Sequence, residues 1–284
     1  MPTTIALVGA GRVGQTLGRA LRRRGYPIGA VVTRHLSTAR AATRFIGAGQ
    51  ARGSVGAEVA RGDTILVATS DRAIAQAAHA LAGLEADWRK KVVLHTSGAL
   101  SSHELIPLEE LGAAVGSLHP LYPFPRPLRQ LPRGVVFGIE GDRRAAKVAR
   151  ALVLALGGHP LELSAEEKPL YHAAAALVAG HLMTLVDLGT RLLAHAGVPP
   201  ARARAALMPL VRETLESYAR WGPQAWTGPL RRGDAETLWH HLVGLKALPR
   251  HYREVYVALA RAAVALYRTD RGQATKELRR LLEM

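Results

Sequence analysis

Ile5-Ala6-Leu7-Val8-Gly9-Ala10-Gly11-Arg12-Val13-Gly14 opens the chain with four apolar residues and then, at once, the spacing G-x-G-x-x-G. The apolar run reads as a buried strand, and Val13 to Arg24 carry a helical pattern, so the glycines stand at a strand-to-helix turn. Gly9 permits the tight turn, Gly11 lets a ligand approach the backbone, and Gly14 lets the helix pack close to the strand. The amides of the turn, with those of Arg12 and Val13 among them, are left aimed at an anion such as a pyrophosphate. Gly9, Gly11, Arg12, Val13 and Gly14 are therefore the expected phosphate cradle of a dinucleotide site.

Working outward, short apolar runs keep alternating with helix-length segments. Strands are expected at Ile28 to Thr33, Thr64 to Thr69, Lys91 to Thr96 and Ala113 to Ser117, with helices such as Ala73 to Leu84 between them. Val135 to Ile139, a helix from Arg143 to Leu156 and an extended piece at Pro160 to Leu163 complete the sheet. This is the pattern of an α/β fold, a doubly wound Rossmann domain over residues 1–163.

From about Ala165 the period changes to helical throughout, so an all-α C-terminal domain is expected over 164–284. Residues 165–196 read as one long helix, ended by Gly197 and by the Pro199-Pro200 pair that starts the next. So apolar a helix calls for burial, against the first domain on one side and a second subunit on the other, hence a homodimer through the C-terminal helices.

Cofactor choice is read at the end of the second strand, where an NAD site places a carboxylate against the ribose 2′-hydroxyl. Here the stretch is Thr33-Arg34-His35-Leu36-Ser37, without one. Arg34 can instead pair with a 2′-phosphate, helped by the hydroxyls of Thr33 and Ser37, which points to NADP(H).

Ligands of open α/β sheets bind beyond the carboxyl ends of the strands, so those positions hold the candidates. Thr69, Ser70 and Ser97 are placed to hydrogen-bond cofactor or substrate, while Asp71 reads as a helix cap. His119, followed by a proline at a strand exit, can exchange the proton that accompanies a hydride. His95 sits at similar depth and competes with it. On the long helix, Lys168 and His172 are four residues apart and share a face, so either could serve as proton donor or anion holder, with Tyr171 beside them toward the substrate. His181, nine residues past His172, falls on the opposite side of a regular helix. Thr227 and Arg232, in the break between helices from Thr227 to Asp234, are the expected contacts to an anionic small molecule, with Asp234 capping the next helix.

Composition narrows the function classes. Cysteine is absent, which excludes disulfides, thiolate metal sites and a cysteine nucleophile. Metal binding is not expected either, since Trp239-His240-His241 splays its histidines around a helix. Lys and Arg number 38 against 22 Asp and Glu, a net +16, but the basic residues are spread along the chain and there are three Phe. No basic cluster is interleaved with aromatics, so nucleic acid is not the expected partner. No run reaches the roughly 18 uninterrupted apolar residues of a membrane span, and the chain is expected to be cytoplasmic.

Together these pieces resemble the Rossmann-like oxidoreductases whose C-terminal half is the domain of unknown function 2520, within the wider 6-phosphogluconate dehydrogenase-like, pyrroline-5-carboxylate reductase-like and ketopantoate reductase-like group. The resemblance is carried by Gly9 to Gly14, His95-Thr96-Ser97-Gly98, Gly116 through Leu121, Tyr171-His172-Ala173-Ala174, and Thr227-Gly228-Pro229 with Arg232-Gly233-Asp234. It implies NADP(H)-dependent hydride transfer to a small anionic carbonyl or imine, for example a 2-keto acid such as 2-dehydropantoate. Where that pattern has Ser-Asn, this chain has Ala179 and Gly180, which leaves no asparagine amide to orient a substrate. The competing expectation is a non-catalytic NADP(H)-binding sensor or scaffold.

Overall fold

The computed structural model describes residues 3–268 and 272–283. The chain divides into two compact units, Met1–Ala179 and Gly180–Met284.

The first unit alternates strands and helices: β1 (Ile5–Val8), α1 (Arg12–Arg23), β2 (Ile28–Val32), α2 (Leu36–Ile46), β3 (Gln50–Arg52), α3 (Ala57–Ala60), β4 (Thr64–Val67), α4 (Ile74–Ala82), β5 (Val92–His95), α5 (Ile106–Glu109), β6 (Ala114–Pro120), β7 (Val136–Gly141), α6 (Arg143–Leu156), β8 (His159–Glu162) and α7 (Lys168–Ala176). The strands form one sheet in the order β3-β2-β1-β4-β5-β6-β7-β8. Every pairing is parallel except β6 with β7, where His119 lies opposite Gly138.

The strands β1, β4 and β5 are buried at every residue, as a sheet covered on both faces requires. Side chains alternate across it. Leu7, Val31, Leu66 and Leu94 enter one core with α1 and α6, while Ala6, Val8, Ile65 and Val67 enter the other with α4. Gly14 is the contact point of the first crossover, because a Cβ there would lie 2.5 Å from the Gly9 carbonyl oxygen.

Two sequence expectations change in this unit. β6 runs on to Pro120, so His119 lies within the strand's last turn of pleat rather than beyond it. Asp71 makes no capping bond; it begins a short 3-10 turn, Asp71–Ala73, whose cap position is Ser70.

The second unit is helical: α8 (Leu182–His195), α9 (Pro200–Trp221), α10 (Pro229–Arg232), α11 (Ala235–Leu245), α12 (Arg250–Tyr267) and α13 (Gln273–Glu283). α8 packs along α9, and Leu238, Leu242, Val257, Val264, Leu278 and Leu282 of α11 to α13 form a separate core. Asp234 caps α11 by accepting from the Thr237 amide at 3.0 Å, as expected.

The long helix expected over 165–196 spans Lys168–His195 and contains a π turn at Leu177–His181. That turn breaks the regular spacing on which an opposite-face position for His181 depended. Burial is also not what the chain provides, since Leu170, Leu177, Val178 and Met183 are all more than 60% exposed. Among the described residues this is the one helix long and apolar enough to cross a membrane.

Candidate active site

The carboxyl ends of β2, β1 and β4 frame a groove of about 600 Å³, lined by Gly9, Ala10 and Gly11 at its floor, Thr33, Arg34 and Thr38 at one end, and Thr69 and Ser70 at the other. The glycines do separate physical work. Gly9 has φ +88°, and a Cβ there would lie 2.6 Å from the backbone of Ala68 and Thr69, so the close approach of β1 to β4 depends on it. Gly11 has open space where its Cβ would point. It is also the N-cap of α1 and has no side chain to satisfy the first amides of that helix, which leaves those amides to an anionic ligand.

No Asp or Glu lines the groove. Arg34 is exposed and, among the described residues, has neither a hydrogen bond nor an ion pair within the chain. The open backbone at Gly11 and an uncommitted guanidinium at the second strand fit a dinucleotide that carries an extra phosphate.

Further along the same sheet edge, past β5 and β6, a second cluster is built from side chains. Glu140 on β7, 5% exposed, accepts from the Ser102 amide (2.9 Å), the Ser102 hydroxyl (2.6 Å) and the Ser117 hydroxyl (3.1 Å). Lys168, 1% exposed, donates to Ser117 Oγ at 2.6 Å and to the Ser97 carbonyl at 3.1 Å, with Glu140 Oε2 at 3.9 Å. Burial pulls its ammonium down to about 8 against the opposing influence of Glu140 and Asp71.

Above this cluster stand His119 and His172, with ring centroids 6.2 Å apart. Both crowd Gly98, where a Cβ would lie 2.8 Å from His119 Cε1 and 2.9 Å from His172 Cδ2. His119 Nδ1 is 2.8 Å from the Tyr171 hydroxyl. Burial, with the Lys168 ammonium and His172 acting in the same direction, pushes His119 down to about 4. Burial pushes the Tyr171 phenol up to about 12.

His119, Lys168, Tyr171 and His172 are thus brought together, as Gly9, Gly11, Thr33, Arg34, Thr69 and Ser70 are in the groove. Several expected details differ. Ser37 is absent from the groove wall and Thr38 takes its place, because α2 begins at Leu36 and turns Ser37 away. Arg12 and Val13 also stand off the wall. The Ser97 hydroxyl accepts from the amides of Ala99 and Leu100 and its carbonyl holds Lys168, so Ser97 shapes its own loop.

Lys168 is enclosed, which does not match direct contact with a substrate. Tyr171 backs His119 in place of facing outward. His95 is structural: its Nδ1 accepts from the Ser97 amide at 3.1 Å and its Nε2 meets the Ser101 carbonyl at 2.9 Å. Thr227 and Arg232 belong to the helical unit, where Thr227 is exposed and Arg232 pairs with Asp234 at 3.8 Å. Among the described residues no three His, Cys, Asp or Glu are grouped to hold a metal ion. Sequence reasoning missed Glu140, which lies in no motif, and gave no role to Ser117 within Gly116 through Leu121; the two meet through the pairing of β6 with β7.

Fold and site together define a Rossmann-like α/β protein with a helical C-terminal part. More particularly, residues 2–120 match the family model of the Rossmann-like domain, and residues 135–263 match that of the domain of unknown function DUF2520. The chain carries both in that order. No curated protein matches it in sequence. Among solved structures it is similar to a provisionally assigned NADP oxidoreductase from Bacteroides fragilis, with 22% identity, 92% of this chain and 98% of that chain covered, and TM-score 0.74. A reductive aminase from Aspergillus terreus in complex with NADPH and ethyl-5-oxohexanoate is similar at 14% identity, with coverage of 97% and 98% and TM-score 0.70. An imine reductase from Myxococcus stipitatus in complex with NADP+ is similar at 18% identity, with coverage of 98% and 99% and TM-score 0.69. At these identities the likeness is one of fold.

Proposed function

We propose that the chain is an NADP(H)-dependent oxidoreductase that transfers a hydride to a small carbonyl or imine compound bearing an anionic group, a 2-keto acid such as 2-dehydropantoate being one candidate. The observation that carries this reading is a groove floored by open glycine backbone, with the uncommitted Arg34 at its far end and His119 and His172 farther along the same sheet edge. Proteins of the same fold have been crystallised with NADP+, and with NADPH beside a keto ester, which supports the cofactor and the carbonyl of the substrate. When bound, NADPH supplies the hydride. The chain's residues hold it through the Gly9–Gly14 backbone and Arg34, and position the reacting heteroatom at His119 and His172. Lys168 supports this arrangement from beneath, while Thr227 and Arg232 are proposed to receive the substrate's anionic group.

The exposed apolar helix Lys168–His195 is proposed to be covered by a second copy of the chain. Insertion in a bilayer is disfavoured because its first turn is anchored by the buried Lys168. The protein is accordingly proposed to be a homodimer, and its location to be cytoplasmic.

The test is a fluorescence titration of NADPH and NADH with wild type and Arg34→Ala. The substitution should weaken NADPH binding roughly 10- to 100-fold, the worth of one charge-assisted contact, and leave NADH unchanged. Equal affinity for both cofactors with no effect of the substitution defeats the assignment. NADPH oxidation is then screened against 2-keto acids and cyclic imines, where a complete lack of turnover favours a binding sensor.

A further inference from the structure

Two features of His119 go beyond its place in the site. Its Nδ1 faces a hydroxyl that burial keeps protonated, since Tyr171 is pushed up to about 12. A phenol is the better donor of such a pair and a neutral imidazole nitrogen the better acceptor, so the Tyr171 O–H donates and Nδ1 accepts. The ring proton then belongs on Nε2. That atom has no hydrogen-bond partner among the described residues, and it would lie 2.9 Å from a Cβ on Gly98. A glycine at 98 is what keeps the approach to Nε2 open.

The surroundings oppose a second ring proton from every side. From α7 come the Lys168 ammonium and His172, and from β5 the His95 imidazole. The nearest carboxylate of the cluster, Glu140 on β7, is occupied by Ser102, Ser117 and Lys168. A positive charge on His119 would have no counter-ion.

Resting on the oxidoreductase reading, we propose that His119 acts as a neutral imidazole whose Nε2–H is donated to the heteroatom of the substrate's C=O or C=N bond, with Tyr171 as the positioning residue that fixes this tautomer. As the substrate carbon gains a hydride and its electron pair, the π electrons of the double bond move onto the heteroatom, and the Nε2–H stabilises the charge that develops there. The proton that completes the alcohol or amine comes from water, with the exposed His172 ring beside the path. His119 keeps its own proton throughout.

NMR of the cofactor-free protein with 15N-labelled histidine, followed from pH 8 to pH 5, tests this directly. His119 should show a protonated Nε2 and a lone-pair Nδ1 across the range. Tyr171→Phe should give a mixture of tautomers and a titration closer to the ordinary histidine value. A wild-type ring protonated at Nδ1, or one titrating near 6.5, overturns the proposal.

Turnover provides the second arm. His119→Gln retains a neutral N–H donor and should keep at least about tenfold more activity than His119→Ala. Tyr171→Phe should lower kcat about tenfold with KM little changed, the equivalent of one modest hydrogen bond. Equal loss in the Gln and Ala variants counts against a neutral donor. NADPH titration of the same proteins keeps the two readings apart. Absent binding sinks the redox reading, whereas the wrong tautomer with binding intact sinks only the role of His119.

Discussion

Where β1 and β2 end, the chain offers backbone amides and a guanidinium that, among the described residues, no other part of it uses. Where β5 and β6 end, Glu140, Ser117 and Lys168 satisfy one another out of water. Among the described residues no buried side-chain nitrogen or oxygen is left unpartnered. The difference follows from solvent. An open groove can leave groups free because water hydrates them until a ligand arrives, while an enclosed ammonium and carboxylate need partners inside the fold. Substitutions in the cluster should therefore appear as lost stability and those in the groove as lost binding.

The largest effect expected is in the cluster. Glu140→Ala leaves the Ser102 amide buried without its acceptor and the Lys168 ammonium buried without its counter-charge, and should cost about 3–5 kcal/mol in chemical denaturation. The double variant Glu140→Leu with Lys168→Met removes both charges and should recover much of that loss. If the single substitution costs less than about 1 kcal/mol, the pair behaves as a surface contact and the contrast between the two regions disappears.

Next come the glycines of the groove, which divide the same contrast within one turn. Gly9→Ala combines a left-handed backbone with a Cβ 2.6 Å from Ala68, so it should destabilise the fold by about 2–4 kcal/mol. Gly11→Ala meets nothing within 4 Å; it should melt like wild type yet bind NADPH at least about tenfold more weakly by blocking backbone approach. Equal melting losses in both variants would show that Gly11 is a folding residue.

These two regions were also unequally legible. The groove was readable because its chemistry is local: Gly9 to Gly14 fall in six consecutive residues, and Arg34 follows one strand later. That Thr38 and not the expected Ser37 lines the groove depends on where α2 starts, a matter of one residue. The Lys168 cluster joins positions 97, 102, 117, 140 and 168. Its assembly depends on the antiparallel pairing of β6 with β7, which no short pattern signals. The apolar character of the long helix was legible, but its exposure was not, because hydrophobic spacing marks a face and does not say what covers it.

The buried imidazoles give a graded test of the enclosed region. His95 and His119 are both held down to about 4, chiefly by burial, whereas in the unfolded chain they titrate near the ordinary 6.5. Between those values the unfolded state binds more protons than the folded one, so stability is fully present above pH 6.5 and falls as pH drops toward 4. The expected slope is at most about 1.4 kcal/mol per pH unit for each histidine, and less for half-buried His119, where solvent screens the charge. His95→Gln should remove its share of the slope in denaturation series at pH 7, 6 and 5. An unchanged slope would mean that the ring is not held neutral by the fold.

The smallest effect bears on the groove's far end, where one residue separates wall from solvent. Thr38 lines the groove and Ser37 does not, so of these two hydroxyls it is the one on Thr38 that can add to Arg34 in holding a phosphate. Thr38→Ala should weaken NADPH binding by about 0.5–1.5 kcal/mol, the net worth of one hydrogen bond, with NADH affinity and melting temperature unchanged. Ser37→Ala should alter none of the three. The reverse pattern, with Ser37 sensitive and Thr38 silent, would place the 2′-phosphate on the outer side of the α2 N-terminus. Arg34 would then have to swing out of the groove to meet it, and the selectivity for NADP(H) would reside in that guanidinium rather than in the shape of the wall.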